Sequence, residues 1–522
     1  MSRRLREIAA LVMLAAAACK PVRAQAEDAD QVYEDRCAAC HGEGRLGGTG
    51  PALIPESLGK ADPKAIALTI REGRPATQMP SFAGKISDGD IEALAHFVAA
   101  PLAQPPIWGP AEIAASRVVL DASPPVSAPV YSADPRNLFV VVEAGDHHLT
   151  VLDGDTFTPL ARVGTHVALH GGPKFTPDGR YTYFMSRDGW VTKFDLWSLK
   201  PVVEVRAAIN SRNIAISRDG RHIAVAAYLP RALMILDADT LAVEKIFDVR
   251  DRTGTPSRVS AVYQAPQRNS FIAALKDVPE IWEISTDPNA PAQFAGLVHS
   301  YEEGMVEGLA SSSGLFALRR IPAPEPLDDF FFDPDYRNLI GASRDGDHAW
   351  VINLNVGREI ARIDLPGMPH LGSGISWIWK GRPVVAAPHL KDSAISIIDM
   401  TNWTVIRTLH TDGPGFFLRS HENTPYVWAD VSGGPNKDRL HIIDKRTLEI
   451  VKTIVPAPGR PAAHVEFDRD GRHALVSIAE MKGDLLVLDA ADFHEVKRLP
   501  MSKPSGKYNV WNKITFSAGT SH

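Results

Sequence analysis

The sequence predicts a small α-helical domain followed by an eight-bladed β-propeller, and three observations predict it. Residues 27–102 hold a Cys-x-x-Cys-His motif and a closing helical pattern; an apolar pair followed by an acidic or amide residue then recurs eight times; and a proline-rich stretch at 103–116 separates the two regions. These divisions give a leader at 1–26, a class I cytochrome c domain at 27–102, a linker at 103–116 and a propeller at 117–522.

Cys37-Ala38-Ala39-Cys40-His41 has the spacing that attaches a c-type haem. The two thiols form thioethers with the porphyrin and the following imidazole becomes an axial iron ligand. A redox dithiol or a zinc half-site is the competing reading, and the downstream context argues against it. Gly50-Pro51 lies ten residues on, where a proline carbonyl can take the imidazole Nδ1–H and fix the ligand's tautomer. Met79, before Pro80, is the candidate second axial ligand, because a soft thioether opposite imidazole suits electron transfer. Ser87 reads as a helix N-cap, with Ile91, Leu94, Ala95 and Val98 on one face of the helix it starts.

The repeat runs through Asp153, Asp195, Asp237, Glu283, Asn353, Asp399, Asp444 and Asp489, each after two strand-type residues; in the second unit Lys193 replaces the first apolar one. Successive separations are 42, 42, 46, 70, 46, 45 and 45 residues. Turns such as Pro177-Asp178-Gly179-Arg180, Arg218-Asp219-Gly220, Arg344-Asp345-Gly346 and Arg469-Asp470-Gly471 fall between strands. Units of that length read as four-stranded blades, and eight units make an eight-bladed ring. A pair of β-sandwiches does not account for so regular a period.

Residues 1–26 read as a secretory leader. Arg3, Arg4 and Arg6 precede a short apolar run, and Ala24-Gln25-Ala26 offers small residues for cleavage. The expected location is the periplasm, and Cys19, at the end of an Ala-rich weak lipobox, leaves a lipid-anchored form as the alternative. The remaining two cysteines belong to the haem, so no structural disulfide is expected. A net charge of -6 with no basic cluster after the leader argues against nucleic-acid binding.

Several segments together resemble the cytochrome cd1 nitrite reductase family over nearly the whole mature length. They are Pro106-Ile107-Trp108-Gly109, Arg136-Asn137-Leu138-Phe139, Gly179-Arg180-Tyr181 leading to Arg187-Asp188-Gly189, Asp195-Leu196-Trp197, Ala227-Tyr228-Leu229-Pro230, Met368-Pro369-His370 and Gly506-Lys507-Tyr508-Asn509-Val510-Trp511-Asn512. The resemblance implies a second, non-covalent tetrapyrrole, haem d1 or its dihydro precursor, across the propeller mouth. It places the proximal iron ligand at His170 and a distal histidine at His370.

The chain also departs from the reductase pattern. The second distal histidine is missing: the local match reads Pro326-Leu327-Asp328-Asp329, with no histidine between His299 and His348. Nitrite reduction consumes two protons at the bound oxygen, so losing one donor weakens that reading; Asp328 is the only substitute the match suggests, and an exposed Asp is a poor acid near pH 7. His464 stands where the reductase has no matching histidine and is a candidate sixth ligand. This pattern resembles the dihydro-haem d1 dehydrogenase branch of haem d1 biosynthesis, in denitrifying organisms. That branch oxidises a propionate side chain to an acrylate and passes electrons to its covalent haem c.

On that reading Cys37, Cys40, His41 and Met79 hold haem c, His170 and His464 face the d1 iron, and His370 and His464 are the catalytic candidates. Arg212 and Arg460 would pair with tetrapyrrole carboxylates, with Tyr228 as a hydroxyl donor, because unpaired buried carboxylates are costly. His147, His148 and His166 read as loop residues, and His389 and His421 as supporting residues around the pocket. The implied partners are the tetrapyrrole substrate, a periplasmic acceptor such as a small cytochrome c, and transient contacts with the cd1 reductase and other d1 biosynthesis proteins. Nitrite reduction and simple carriage of haem d1 to the reductase are the alternatives.

Overall fold

The computed structural model describes residues 28–48, 50–58, 61–73, 79–293, 312–343 and 346–519. The predicted leader with Cys19, and Arg344-Asp345 of one predicted turn, lie outside the described residues.

The N-terminal domain is built from helices Ala29–Arg36, Ala38–His41, Pro55–Leu58, Pro63–Glu72 and Asp88–Ala99. Two of them start as their sequences dictate. Asp62 accepts the Ala65 N–H at 2.8 Å ahead of a first-turn proline, and Ser87 Oγ accepts the Asp90 N–H at 3.1 Å. Ile91, Leu94, Ala95 and Val98 bury the predicted face against Val32, Tyr33, Ile66 and Ile70. Each large apolar side chain so covered stabilises the domain by about 1.5–3 kcal/mol.

The stretch predicted as a linker at 103–116 ends in a helix, Pro110–Ser116. Gly109 N–H donates to Glu112 Oε2 at 2.8 Å, and Ile113 is buried in a propeller cluster. The prolines upstream do not prevent this, since Pro110 stands at the first position, where no amide hydrogen is needed.

Eight antiparallel sheets form the rest; seven have four strands, and one gains a fifth from Val118–Val119. The repeated acidic residue has a local reason. Asp237 Oδ1 accepts the Thr240 N–H at 2.7 Å, and the residue four beyond the acid, Leu241, takes a left-handed φ of 56°. The same offset carries Phe157, Leu199, Gly357, Trp403, Leu448 and Phe493 into positive φ, so in seven blades the repeat marks one hairpin turn after the third strand, and Glu283 is the exception.

The ring closes by pairing the C-terminal strand Pro504–Asn509 with Leu138–Glu143, Tyr508 opposite Val140. Closure removes the open edge between first and last blades. Apolar clusters fill the spaces between neighbouring blades, as where Val476, Leu486 and Leu488 meet Trp428, Leu440 and Ile442.

Candidate active site

His41 lies at the end of its short helix, 9% exposed, with Nδ1 donating to the Pro51 carbonyl at 2.8 Å. Its other ring nitrogen is thereby kept unprotonated as a ligand. A Cβ on Gly50 would meet the imidazole at 2.8 Å, so the loop approaches this closely only with glycine there. Tyr33 Oη donates to the Gly42 carbonyl at 2.8 Å and braces the same turn. Met79, like Cys37 and Ala38, packs on the helical core. These residues suit a covalent haem with a fixed histidine tautomer.

The innermost strand of each blade runs along the central channel, and two cavities mark its ends. Arg212 and Ile216 of strand Asn210–Ile216, and Asp329 and Phe332 of strand Asp329–Phe332, fall in opposite ones. The larger, about 1440 Å³, is lined by residues such as Lys174, Trp377, Lys445 and Phe516, and no histidine lines it among the described residues. The smaller, about 410 Å³, is lined by His170, His370 and His464 together with Arg212, Arg419, Asp329 and Tyr508. Ligand-forming and titratable groups converge in the smaller one, so size does not identify the site.

His170 Nδ1 donates to the Arg212 carbonyl at 2.7 Å, while Nε2 accepts from Arg212 at 2.9 Å and from Arg187 at 3.2 Å. Burial first, then the two guanidiniums, push its pKa down to about 3. The imidazole is therefore neutral, with its lone pair on Nε2, the form that binds a metal.

His464 enters from the last blade, with the ring-closing blade between it and that of His170. It sits at an irregularity between strands Ala462–Phe467 and His473–Ile478 and takes φ 52°, a conformation that turns a side chain out of the strand's alternation. Its ring packs on Phe417 and Tyr508, centroids 4.5 and 5.5 Å away. Its Nδ1 is buried without a hydrogen-bond partner. A native protein rarely leaves such an atom unsatisfied unless something else meets it. Burial, reinforced by Lys507 and Arg419, holds this histidine well below its ordinary pKa.

His370 Nδ1 donates to the Phe416 carbonyl at 3.1 Å, and Nε2 lies 3.6 Å from Asp329 Oδ2. A proton on Nε2 makes the two a favourable pair. Asp329 is fixed in turn by the Tyr263 hydroxyl, donating at 2.8 Å to Oδ1. The arrangement is a histidine oriented by a backbone carbonyl, with a carboxylate beside the ring nitrogen that would carry a transferred proton.

Two residues chosen from sequence lie elsewhere, and a third role moves. Arg460 is engaged at the surface by Glu480 and Asp484, at 2.9 and 2.8 Å, because its turn follows an outer hairpin. Tyr228 does not line the cavity; its ring lies under Arg258 and Lys276. Asp328, the suggested substitute for the missing histidine, is ion-paired with Lys276, and its neighbour Asp329 points at His370, since successive strand residues face opposite ways. His389 bridges by its backbone to Pro369 beside His370, and its side chain does not line the cavity. Nor does that of His421, whose Nδ1 takes the Asn423 N–H away from the cavity.

Sequence reasoning did not pick out Arg419, Asp329, Asp430 or Tyr508 as site residues. Tyr508 and Arg187 stood inside motifs already noticed, and nothing local marked them as more than strand and turn residues. The phenol ring of Tyr508 fits only because Gly172, at φ 68°, has no Cβ to meet it at 2.7 Å.

Fold and site together define a tetrapyrrole-binding propeller joined to a c-type cytochrome. Residues 133–295 and 311–513 match the cytochrome D1 heme domain family, and residues 24–98 match the family described as cytochrome C oxidase, cbb3-type, subunit III. The chain is 49% identical over 96% of its length to dihydro-heme d1 dehydrogenase of Pseudomonas aeruginosa, covering 97% of that protein. A solved structure, dihydro-heme d1 dehydrogenase NirN in complex with DHE, superposes with a TM-score of 0.84 over 93% of this chain and 100% of that one. Nitrite reductase of Stutzerimonas stutzeri is 23% identical over 97% of the chain and 96% of its own length. The chain belongs to the dihydro-haem d1 dehydrogenase family, within the proteins that carry a cytochrome D1 haem domain.

Proposed function

We propose that this chain dehydrogenates a propionate side chain of bound dihydro-haem d1 to the acrylate of haem d1. The step converts –CH₂–CH₂– to –CH=CH– and releases two protons and two electrons. The observation that carries this reading is the convergence of His170, His370 and His464 on one cavity, with His370 Nε2 3.6 Å from Asp329 Oδ2.

His170, its tautomer set by the Arg212 carbonyl, would hold the macrocycle's metal through Nε2 in place of the hydrogen bonds from Arg212 and Arg187, and His464 would supply a second ligand from the lining of the same cavity. Arg212 and Arg419 line the same cavity and pair with substrate carboxylates, whose burial would otherwise be costly. His370 accepts a side-chain proton at Nε2, and Asp329 stabilises the imidazolium that results. Cys37, Cys40, His41 and Met79 hold haem c, which when bound supplies a one-electron acceptor. Each turnover releases two electrons, so a second redox protein, such as a small periplasmic cytochrome, must take them onward. Residues 1–26 support export to the periplasm.

Anaerobic incubation of the full-length holoprotein with dihydro-haem d1 and an electron acceptor tests the proposal. The visible spectrum is expected to convert to that of haem d1. An unchanged substrate spectrum would instead identify a carrier, and nitrite-dependent nitric oxide release a reductase.

A further inference from the structure

We infer that Arg206 is the hydrogen-bonded bridge through which electrons leave the propeller for the cytochrome domain. The inference rests on the dehydrogenase reading above. Arg206 ends strand Lys200–Arg206, is 7% exposed, and reaches across the boundary between the domains. Its guanidinium donates to the Leu46 carbonyl at 2.6 Å and the Gly47 carbonyl at 3.4 Å on the cytochrome side, and through Nε to the Asp188 carbonyl at 2.9 Å on the propeller side.

Both ends of this contact continue to a proposed iron ligand. On the cytochrome side the Gly47 N–H donates to the His41 carbonyl at 2.7 Å. On the propeller side Asp188 follows Arg187, whose carbonyl accepts the Ser211 N–H at 3.0 Å. Ser211 precedes Arg212, whose carbonyl accepts His170 Nδ1–H at 2.7 Å. The two histidines are thus joined by covalent segments and short hydrogen bonds with Arg206 in the middle. The route uses Nδ1 of His170, and a metal would take Nε2 in place of the hydrogen bonds it accepts here from Arg212 and Arg187. Electron tunnelling decays less steeply along bonds and hydrogen bonds than across gaps, so this connection couples the two sites better than apolar contact does.

Adhesion alone does not require this residue. Ala52, Ile54 and Ile209, with Leu46, Leu102, Trp108 and Leu229, already form an apolar contact between the domains. The guanidinium is buried against carbonyl groups and the Trp108 ring, 4.9 Å away, and burial lowers its pKa. A neutral donor would serve for docking at a smaller desolvation cost. Arg206 is a positioning residue on the electron route, since it touches neither substrate nor reacting atoms.

The test uses the full-length holoprotein loaded anaerobically with dihydro-haem d1, with covalent haem reduction followed by stopped-flow absorbance in the wild type, R206M, R206K and I54A. Covalent haem reduction is expected to slow severalfold in R206M, which keeps the bulk of the side chain but loses all three hydrogen bonds. R206K should fall between it and the wild type, and I54A, which loosens the apolar contact but keeps the bridge, should stay close to the wild type. The midpoint potential of the covalent haem, its reduction by ascorbate and the small-angle scattering envelope should not change in R206M. A wild-type rate in R206M, an I54A defect as large as that of R206M, or an expanded R206M envelope would each overturn the bridge. If substrate reduces no covalent haem even in the wild type, the dehydrogenase reading itself fails, a result distinct from all three.

Discussion

The Asp430 carboxylate accepts the backbone N–H of His464 at 3.2 Å through Oδ2, while Oδ1 accepts the N–H groups of Phe416 and Phe417 at 2.8 and 2.9 Å. One buried acid thus anchors the strained His464 backbone and the loop whose Phe416 carbonyl orients His370. Burial pushes its pKa up, and the three amides work against that rise. Asp430→Ala orphans three donors at about 1–3 kcal/mol each, which should unfold the protein at markedly lower denaturant. Asp430→Asn keeps an oxygen for the phenylalanine amides but sets a donor against the His464 N–H. Its bound dihydro-haem should show the absorption spectrum of the His464→Ala variant, and a wild-type spectrum would exclude the anchoring role.

Asp329 backs His370 without a histidine's ability to replace it. Asp329→Asn keeps an acceptor for the Tyr263 hydroxyl but removes the charge that stabilises protonated His370. Single-turnover dehydrogenation should slow by about 100-fold while substrate affinity is held. Equal losses in affinity and rate would assign Asp329 to binding.

The two arginines selected from sequence should separate in a binding titration. Arg460→Ala should leave dihydro-haem affinity unchanged, because its guanidinium is held by Glu480 and Asp484 outside the cavity. Arg212→Gln loses a charged partner for a carboxylate, worth about 1.5–3 kcal/mol, and should weaken binding about 10–100-fold.

Acid should destabilise the substrate-free protein before its carboxylates titrate. His170, held neutral down to about 3, takes no proton where the unfolded chain's histidine does, below about 6.5. Its contribution is fully present above that pH and falls as the pH drops, by up to about 1.4 kcal/mol per unit. His464, depressed by the same burial, adds in the same direction. Urea unfolding near pH 7 and pH 5 should show the loss, and His170→Gln should flatten it.

Much of this was legible locally. The haem c attachment site, the Pro51 carbonyl on His41 and the buried face of the Ser87-capped helix follow from residues within a few turns of one another. The eight blades were countable because seven of them repeat one hairpin device, an acidic or amide residue with a left-handed residue four positions later. His170, His370 and His464 were recognisable from the motifs around them. Arg460 was misplaced for a related reason: it lies close to His464 in sequence, but in the connection ahead of strand Ala462–Phe467, where Glu480 and Asp484 hold its guanidinium outside the cavity.

The sequence alone determined the period, the haem motif and the replacement of a histidine by Asp328-Asp329, all of which reside in spacing and side-chain type. Only the tertiary structure decided that Asp329 and not Asp328 meets His370, and that Asp430 holds His464. It also decided that Tyr508 reaches the cavity, because the last strand pairs with the first blade more than three hundred residues earlier. Strand alternation sets which neighbour faces inward, and ring closure sets which distant strands share the channel. Both depend on register and packing across blades, information that no short stretch of the chain contains.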